Sequence, residues 1–232
     1  MAGFTKRNKY LFAKHMFKHL AVSSLDSLND LTDSIYSSLK KELAAYDIYV
    51  KKRVKEIPEE LHDEFYDYMS DDYWKYAEGF PQITGYILLV RYYSLLEYTL
   101  RSIGQNVEHS QSKKMKDIKR KGSYIEHYLK YLKNIAGFNI DLKNSSWAYI
   151  QETINPIRNC ITHDDGYIED SDKAKKLKKI IADNPTLLAL TSFNQIEIKK
   201  EFVYHFQEVI NAFLKYIFQV WQAWAEEKGK EK

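Results

Sequence analysis

Residues 202–224 read FVYHFQEVINAFLKYIFQVWQAW, and Phe202, Phe206, Val209, Phe213, Ile217, Val220 and Trp224 fall at steps of three and four. Such steps return to one side of an α-helix, whereas a half-buried strand would place apolar residues at every second position. The stretch predicts a strongly apolar helix that must be covered by other elements. The same period recurs upstream. Leu25, Leu28, Leu31, Ile35, Leu39, Leu43, Tyr46, Val50, Val54 and Ile57 form one stripe ending before Pro58, which predicts a long helix with Ser23 or Ser24 as its N-cap.

Between Gln82 and Ile103, Ile83, Ile87, Val90, Leu95 and Leu100 lie among further apolar residues, so this helix should be buried on more than one side, with Gly104 as its end. A shorter helix is predicted from about Ser123 to Ile135. The next starts after Ser145 or Ser146 and carries Trp147, Ile150, Ile154, Ile157 and Ile161. The Tyr-rich, acidic stretch 59–79 predicts one or two short helices, and a Lys-rich helix is expected from about Ser171 to Ala182. Weak alternation from Leu187 to Ile198 around Ser192-Phe193-Asn194 allows one small β-hairpin. The expected fold is all-α: an antiparallel helical bundle over residues 81–232, preceded by a long N-terminal helical extension over residues 1–80.

Composition limits the function. At 232 residues and 44% apolar content the chain can fill a core, and its 35 basic and 32 acidic side chains leave a net charge of only +3. Any basic footprint for nucleic acid must therefore be local. Cys160 is the only cysteine, which excludes an internal disulfide and a thiolate zinc cluster and fits a reducing, cytoplasmic setting. No apolar run approaches the ~20 residues of a membrane span, and no secretory signal is evident, so a soluble protein is expected.

Lys6, Arg7, Lys9, Lys14 and Lys18 precede the first acidic residue, Asp26, among Phe4, Tyr10, Leu11, Phe12, Met16, Phe17 and Leu20. This pattern fits a membrane-surface helix, a nucleic-acid arm or a targeting peptide, but the ordinary reading is a short helix packing its apolar side on the domain.

The chemistry is concentrated in Asn155-Pro156-Ile157-Arg158-Asn159-Cys160-Ile161-Thr162-His163-Asp164-Asp165-Gly166. Arg offers a fixed fork of donors to phosphate, and His is the side chain that changes charge most easily near neutral pH. Asn155 followed by Pro156 reads as a cap and first helical position, which would restart or kink the helix and leave free backbone amides that favour an anion. On a regular helix Asn159 and His163 are about 40° apart, but Arg158 and His163 are about 140° apart. The pair does not converge on one point. His163 faces away from the apolar stripe and should be exposed or held against a second molecule.

Arg-Asn, three residues and His on a helix of an all-α bundle resembles the signature of the HEPN family, in which four to six residues separate the Arg and His. The resemblance covers residues 82–228. It implies a metal-independent endoribonuclease of the toxin, phage-defence or CRISPR-effector kind, with no cofactor, acting as a homodimer whose two motifs meet in a composite site. RNA would be the substrate, and an antitoxin or other regulatory protein a partner. His163 would be the general acid or base, Arg158 would stabilise phosphorane charge, and Asn159 would hold the imidazole or a phosphate. Some members carry an acidic residue on an earlier helix, and Glu97 in Leu95-Leu96-Glu97-Tyr98-Thr99-Leu100-Arg101 resembles that position. One subgroup has a modifiable Tyr two residues after the His. Asp165 stands there and Tyr167 lies four residues on, so that mode of regulation does not carry over.

Lys113, Lys114, Lys116, Lys119, Arg120 and Lys121 form a basic run suited to an RNA backbone, although such runs are also ordinary solvated surface. Arg120 and His127 also satisfy the Arg-to-His spacing but lack the Asn, which reads as coincidence. No acidic residues show metal-ligand spacing, and Cys160 lacks an activating base. The alternative to a nuclease is a catalytically silent helical module that binds RNA or a partner protein.

Overall fold

A computed structural model describes residues 6–169 and 172–228. The fold is all-α with one small hairpin: α1 (Lys6–Val54), α2 (His62–Trp74), α3 (Phe80–Glu108), α4 (Tyr124–Asn134), α5 (Ser145–Tyr149), α6 (Asn155–Asp164), α7 (Asp172–Asp183), strands β1 (Leu188–Leu190) and β2 (Ile196–Ile198), then α8 (Lys200–Lys228). The strands are antiparallel, with Leu188 opposite Ile198 and Leu190 opposite Ile196. Phe4 and Ser171 lie outside the described residues, as do the side chains of Lys6 and Arg7.

No break appears at Ser23 or Ser24. Both lie inside α1, where the Ser27 hydroxyl donates to the Ser23 carbonyl at 2.9 Å. A serine can bond a carbonyl one turn back without ending a helix, and neither Gly nor Pro interrupts residues 6–54. Gly104 likewise does not end α3. It lies inside the helix because Met115 packs so close that an added Cβ would sit 2.5 Å from the Met115 sulfur. The cap of α5 is Asn144, whose side chain accepts from the Trp147 amide, rather than Ser145 or Ser146.

Two prolines sit inside continuous helical paths. Proline cannot donate to the carbonyl four residues back, and its ring collides with that carbonyl. In both places a five-residue π segment absorbs the conflict: Lys75–Gly79 precedes Phe80-Pro81, and Ile150–Ile154 precedes Asn155-Pro156. The Phe80 amide bonds the Lys75 carbonyl and the Asn155 amide bonds the Ile150 carbonyl, each five residues back. Asn155 has helical dihedrals, φ −61° and ψ −42°, so it is no cap. The helix does not restart there, and the free amides expected near Arg158 are not formed.

The chain divides into two compact units, Met1–Leu28 with Val90–Asn159 and His205–Lys232, and Asn29–Leu89 with Cys160–Tyr204. The first unit packs Trp221, Phe206, Phe213, Leu96, Leu100 and Ile157 with almost no exposure. Its N-terminal stretch of α1 packs on α8, with Tyr10 edge-on to Trp224 at 4.9 Å and Phe17 5.9 Å from Trp221. Lys14 is buried there, its amine donating to Gln222 at 3.1 Å, and burial lowers its pKa. Among the expected Lys-rich arm residues, one thus serves packing.

The second unit is closed by the turn after α6. Asp165 and Gly166 take positive φ of 50° and 75°, which reverses the chain so that the Ile196 amide bonds the Gly166 carbonyl at 2.9 Å. The buried hydroxyl of Tyr86 donates to the Ile196 carbonyl at 2.5 Å, directly beneath Gly166. A Cβ at Gly166 would meet the Tyr86 oxygen at 2.1 Å in a backbone conformation that L-residues disfavour. Gly166→Ala is therefore expected to cost about 1–3 kcal/mol, read as a lowered urea midpoint. An unchanged midpoint would show that this close approach is not needed.

Candidate functional site

Tyr93, Glu97 and Arg101 are spaced four residues apart on α3 and so share one side of the helix. Tyr93 is buried, and its hydroxyl donates to Asn155 Oδ1 at 2.9 Å, fixing the start of α6 to α3. One turn further on, the Arg158 guanidinium lies over the Tyr93 ring, 5.0 Å from its centroid, and its Nη1 donates to Asn159 Oδ1 at 3.0 Å. From the α4 side, the exposed Arg120 guanidinium lies over the Tyr124 ring at 4.0 Å, and Tyr124 stacks on Tyr128 with centroids 6.2 Å apart. All of these residues belong to the first unit.

Half-buried Glu97 stands in the field of Arg158, Arg101 and Arg120. Burial pushes its carboxyl above the ordinary range, and the three guanidiniums pull it back without fully offsetting that effect. Burial raises the Tyr93 hydroxyl as well. Three permanent cations thus act on one carboxylate. A phosphate group is the natural complement, because guanidinium forks match its oxygens.

Glu97 and Arg158, far apart in the chain, are thus brought together, with Asn159 bound to Arg158. His163 is not placed with them by its helix. It is exposed in the last turn of α6, about 140° around from Arg158. The division between the two units falls after Asn159, leaving His163 in the second. Asn159 directs its amide oxygen to Arg158, so here it orients the guanidinium.

The basic run lies between α3 and α4 around a 3-10 turn, Met115–Asp117, anchored by buried Met115. Lys113, Lys114, Lys116, Lys119 and Lys121 are exposed, and Arg120 connects their loop to the cluster. Arg101, Tyr93 and Tyr124 are not among the sequence-derived site residues. The four-residue spacings Tyr93-Glu97-Arg101 and Arg120-Tyr124 were the available signal.

Cys160 is buried and its thiol donates to the Tyr167 carbonyl at 3.3 Å. Burial pushes its pKa up to about 11, which keeps it a thiol at neutral pH. A groove of about 1260 Å³ in the second unit, lined by Trp74, Phe80, Tyr86 and Phe193 among others, contains none of the sequence-derived site residues. Among the described residues, no group of three His, Cys, Asp or Glu side chains is placed to hold a metal ion, and no helix is long and apolar enough to cross a membrane. No known protein family matches the chain, and no curated protein or solved structure is found similar to it.

The raised carboxyl of Glu97 has a signed effect on stability. A carboxyl whose folded pKa exceeds its unfolded value contributes stability fully below the unfolded pKa and loses it as pH rises through the folded one. Glu97→Gln keeps the neutral form at every pH. Relative to wild type, it is expected to melt higher at neutral pH than at about pH 4. A melting difference that does not change with pH would remove burial as the dominant influence on Glu97.

Proposed function

We propose that the chain is a metal-independent endoribonuclease of the HEPN type, cleaving RNA by transesterification. The observation that carries this reading is that half-buried Glu97 stands in the field of Arg158, Arg101 and Arg120, with Arg158 over the Tyr93 ring and bonded to Asn159. In the reaction a base takes the proton of a ribose 2′-OH. That oxygen bonds to the adjacent phosphorus, the P–O5′ bond breaks, and the departing 5′-oxygen receives a proton, leaving a 2′,3′-cyclic phosphate. Arg158 stabilises the charge that develops on the phosphorane oxygens, held in orientation by Asn159 and the Tyr93 ring.

Glu97 moderates the charge around Arg158, Arg101 and Arg120. His163 is the acid or base. Because Arg158 and His163 diverge around α6, the reading calls for two copies of the chain, each supplying His163 near the other's arginines, as in a homodimer. The requirement for a 2′-OH makes RNA the substrate rather than DNA. The setting that accompanies this reading is a cytoplasmic toxin or phage-defence effector held in check by an antitoxin or other regulatory protein.

A second reading, a catalytically silent module that binds RNA or a partner protein, is favoured by one observation: Arg158 and His163 lie about 140° apart around the single helix α6. Incubation of total RNA with purified protein in EDTA separates the two. Wild type is expected to cleave, and Arg158→Ala and His163→Ala to lose at least about 100-fold in rate. Cleavage that survives both substitutions would sink the nuclease reading, and binding without any cleavage would establish the silent module.

A further inference from the structure

The stack that joins α4 to the arginine cluster has features of a base-binding platform. Tyr128 is buried and anchors it. Tyr124, half exposed, packs against Tyr128 at 6.2 Å with ring planes 30° apart, and the exposed Arg120 guanidinium covers the Tyr124 ring at 4.0 Å. Arg120 enters the column from the loop that carries Lys113, Lys114, Lys116, Lys119 and Lys121. It also lies within the field of Glu97, as do Arg101 and Arg158. A π column thus ends in an exposed guanidinium carried by a lysine-rich loop.

We propose that Tyr128, Tyr124 and Arg120 hold one unpaired base of a single-stranded RNA, stacked on the guanidinium of Arg120, beside the exposed lysines of the same loop. This rests on the reading of RNA as substrate and adds how the strand is seated. A guanidinium plane accepts the face of any base, and in a duplex those faces are covered by neighbouring pairs. The platform therefore selects single strands with little regard to sequence. A bare ammonium has the charge of Arg120 without the plane, which sets stacking apart from attraction of the backbone.

The test measures binding of the full chain to a fluorescein-labelled 2′-O-methyl oligoribonucleotide, which transesterification cannot cleave, as a single strand and annealed to its complement. Wild type is expected to prefer the single strand. Arg120→Lys and Tyr124→Leu should each weaken single-strand binding about tenfold and leave duplex binding unchanged. Lys113→Ala should weaken both forms slightly and equally. Arg120→Lys binding the single strand as wild type does, or equal wild-type affinity for both forms, would overturn the proposal. Cleavage of total RNA is followed in parallel. Cleavage that persists while stacking fails leaves the nuclease reading intact, and stacking without cleavage supports the platform while removing the nuclease.

Discussion

A proline inside a helix must give up one hydrogen bond and clear one carbonyl, and the way this is met at Pro156 governs what α6 presents. The π turn Ile150–Ile154 inserts one residue into the helical count, which turns everything after it by about 100° relative to an uninterrupted helix. Ile154 and Ile157 remain buried through this change. Arg158 is delivered onto the Tyr93 ring, and the Asn155 side chain becomes the acceptor for the buried Tyr93 hydroxyl. The same device precedes Pro81, where Lys75–Gly79 carries the path from α2 into α3. Both cationic and aromatic members of the cluster thus depend on a local relaxation of helix geometry.

Electrostatics at the cluster follow from that placement. The half-buried carboxyl of Glu97 is held up by desolvation, the Arg120 guanidinium lies over a ring, and that of Arg158 lies over a ring and bonds the Asn159 amide oxygen. Like charges brought together without full neutralisation cost stability unless an anion shares the site. Aromatic faces lessen that cost for Arg120 and Arg158 because a ring quadrupole attracts a cation without neutralising it.

The helices were legible because burial imposes a period of three to four on α1, α3, α4 and α8, and the weak alternation near Phe193 did resolve into β1 and β2. Caps were less legible. Asn155 before Pro156 has the local chemistry of a helix start, but its side-chain oxygen accepts from the Tyr93 hydroxyl, 62 residues away in sequence, and no local rule registers such a partner. Ser23 and Ser24 misled for the opposite reason, since nothing nearby required the helix to stop. At the site, Arg158, Asn159 and Glu97 could be picked out as single positions. Arg101 and Tyr124 carry only a four-residue spacing as a signal, and what stands across from them on another helix is not written in that spacing.

The burial of Cys160 gives the protein an internal clock. As the sole thiol in the chain, shielded from solvent and bound to the Tyr167 carbonyl, it can react with a thiol reagent only when the turn after α6 opens. The rate of its labelling therefore reports how often the turn that carries Gly166 opens.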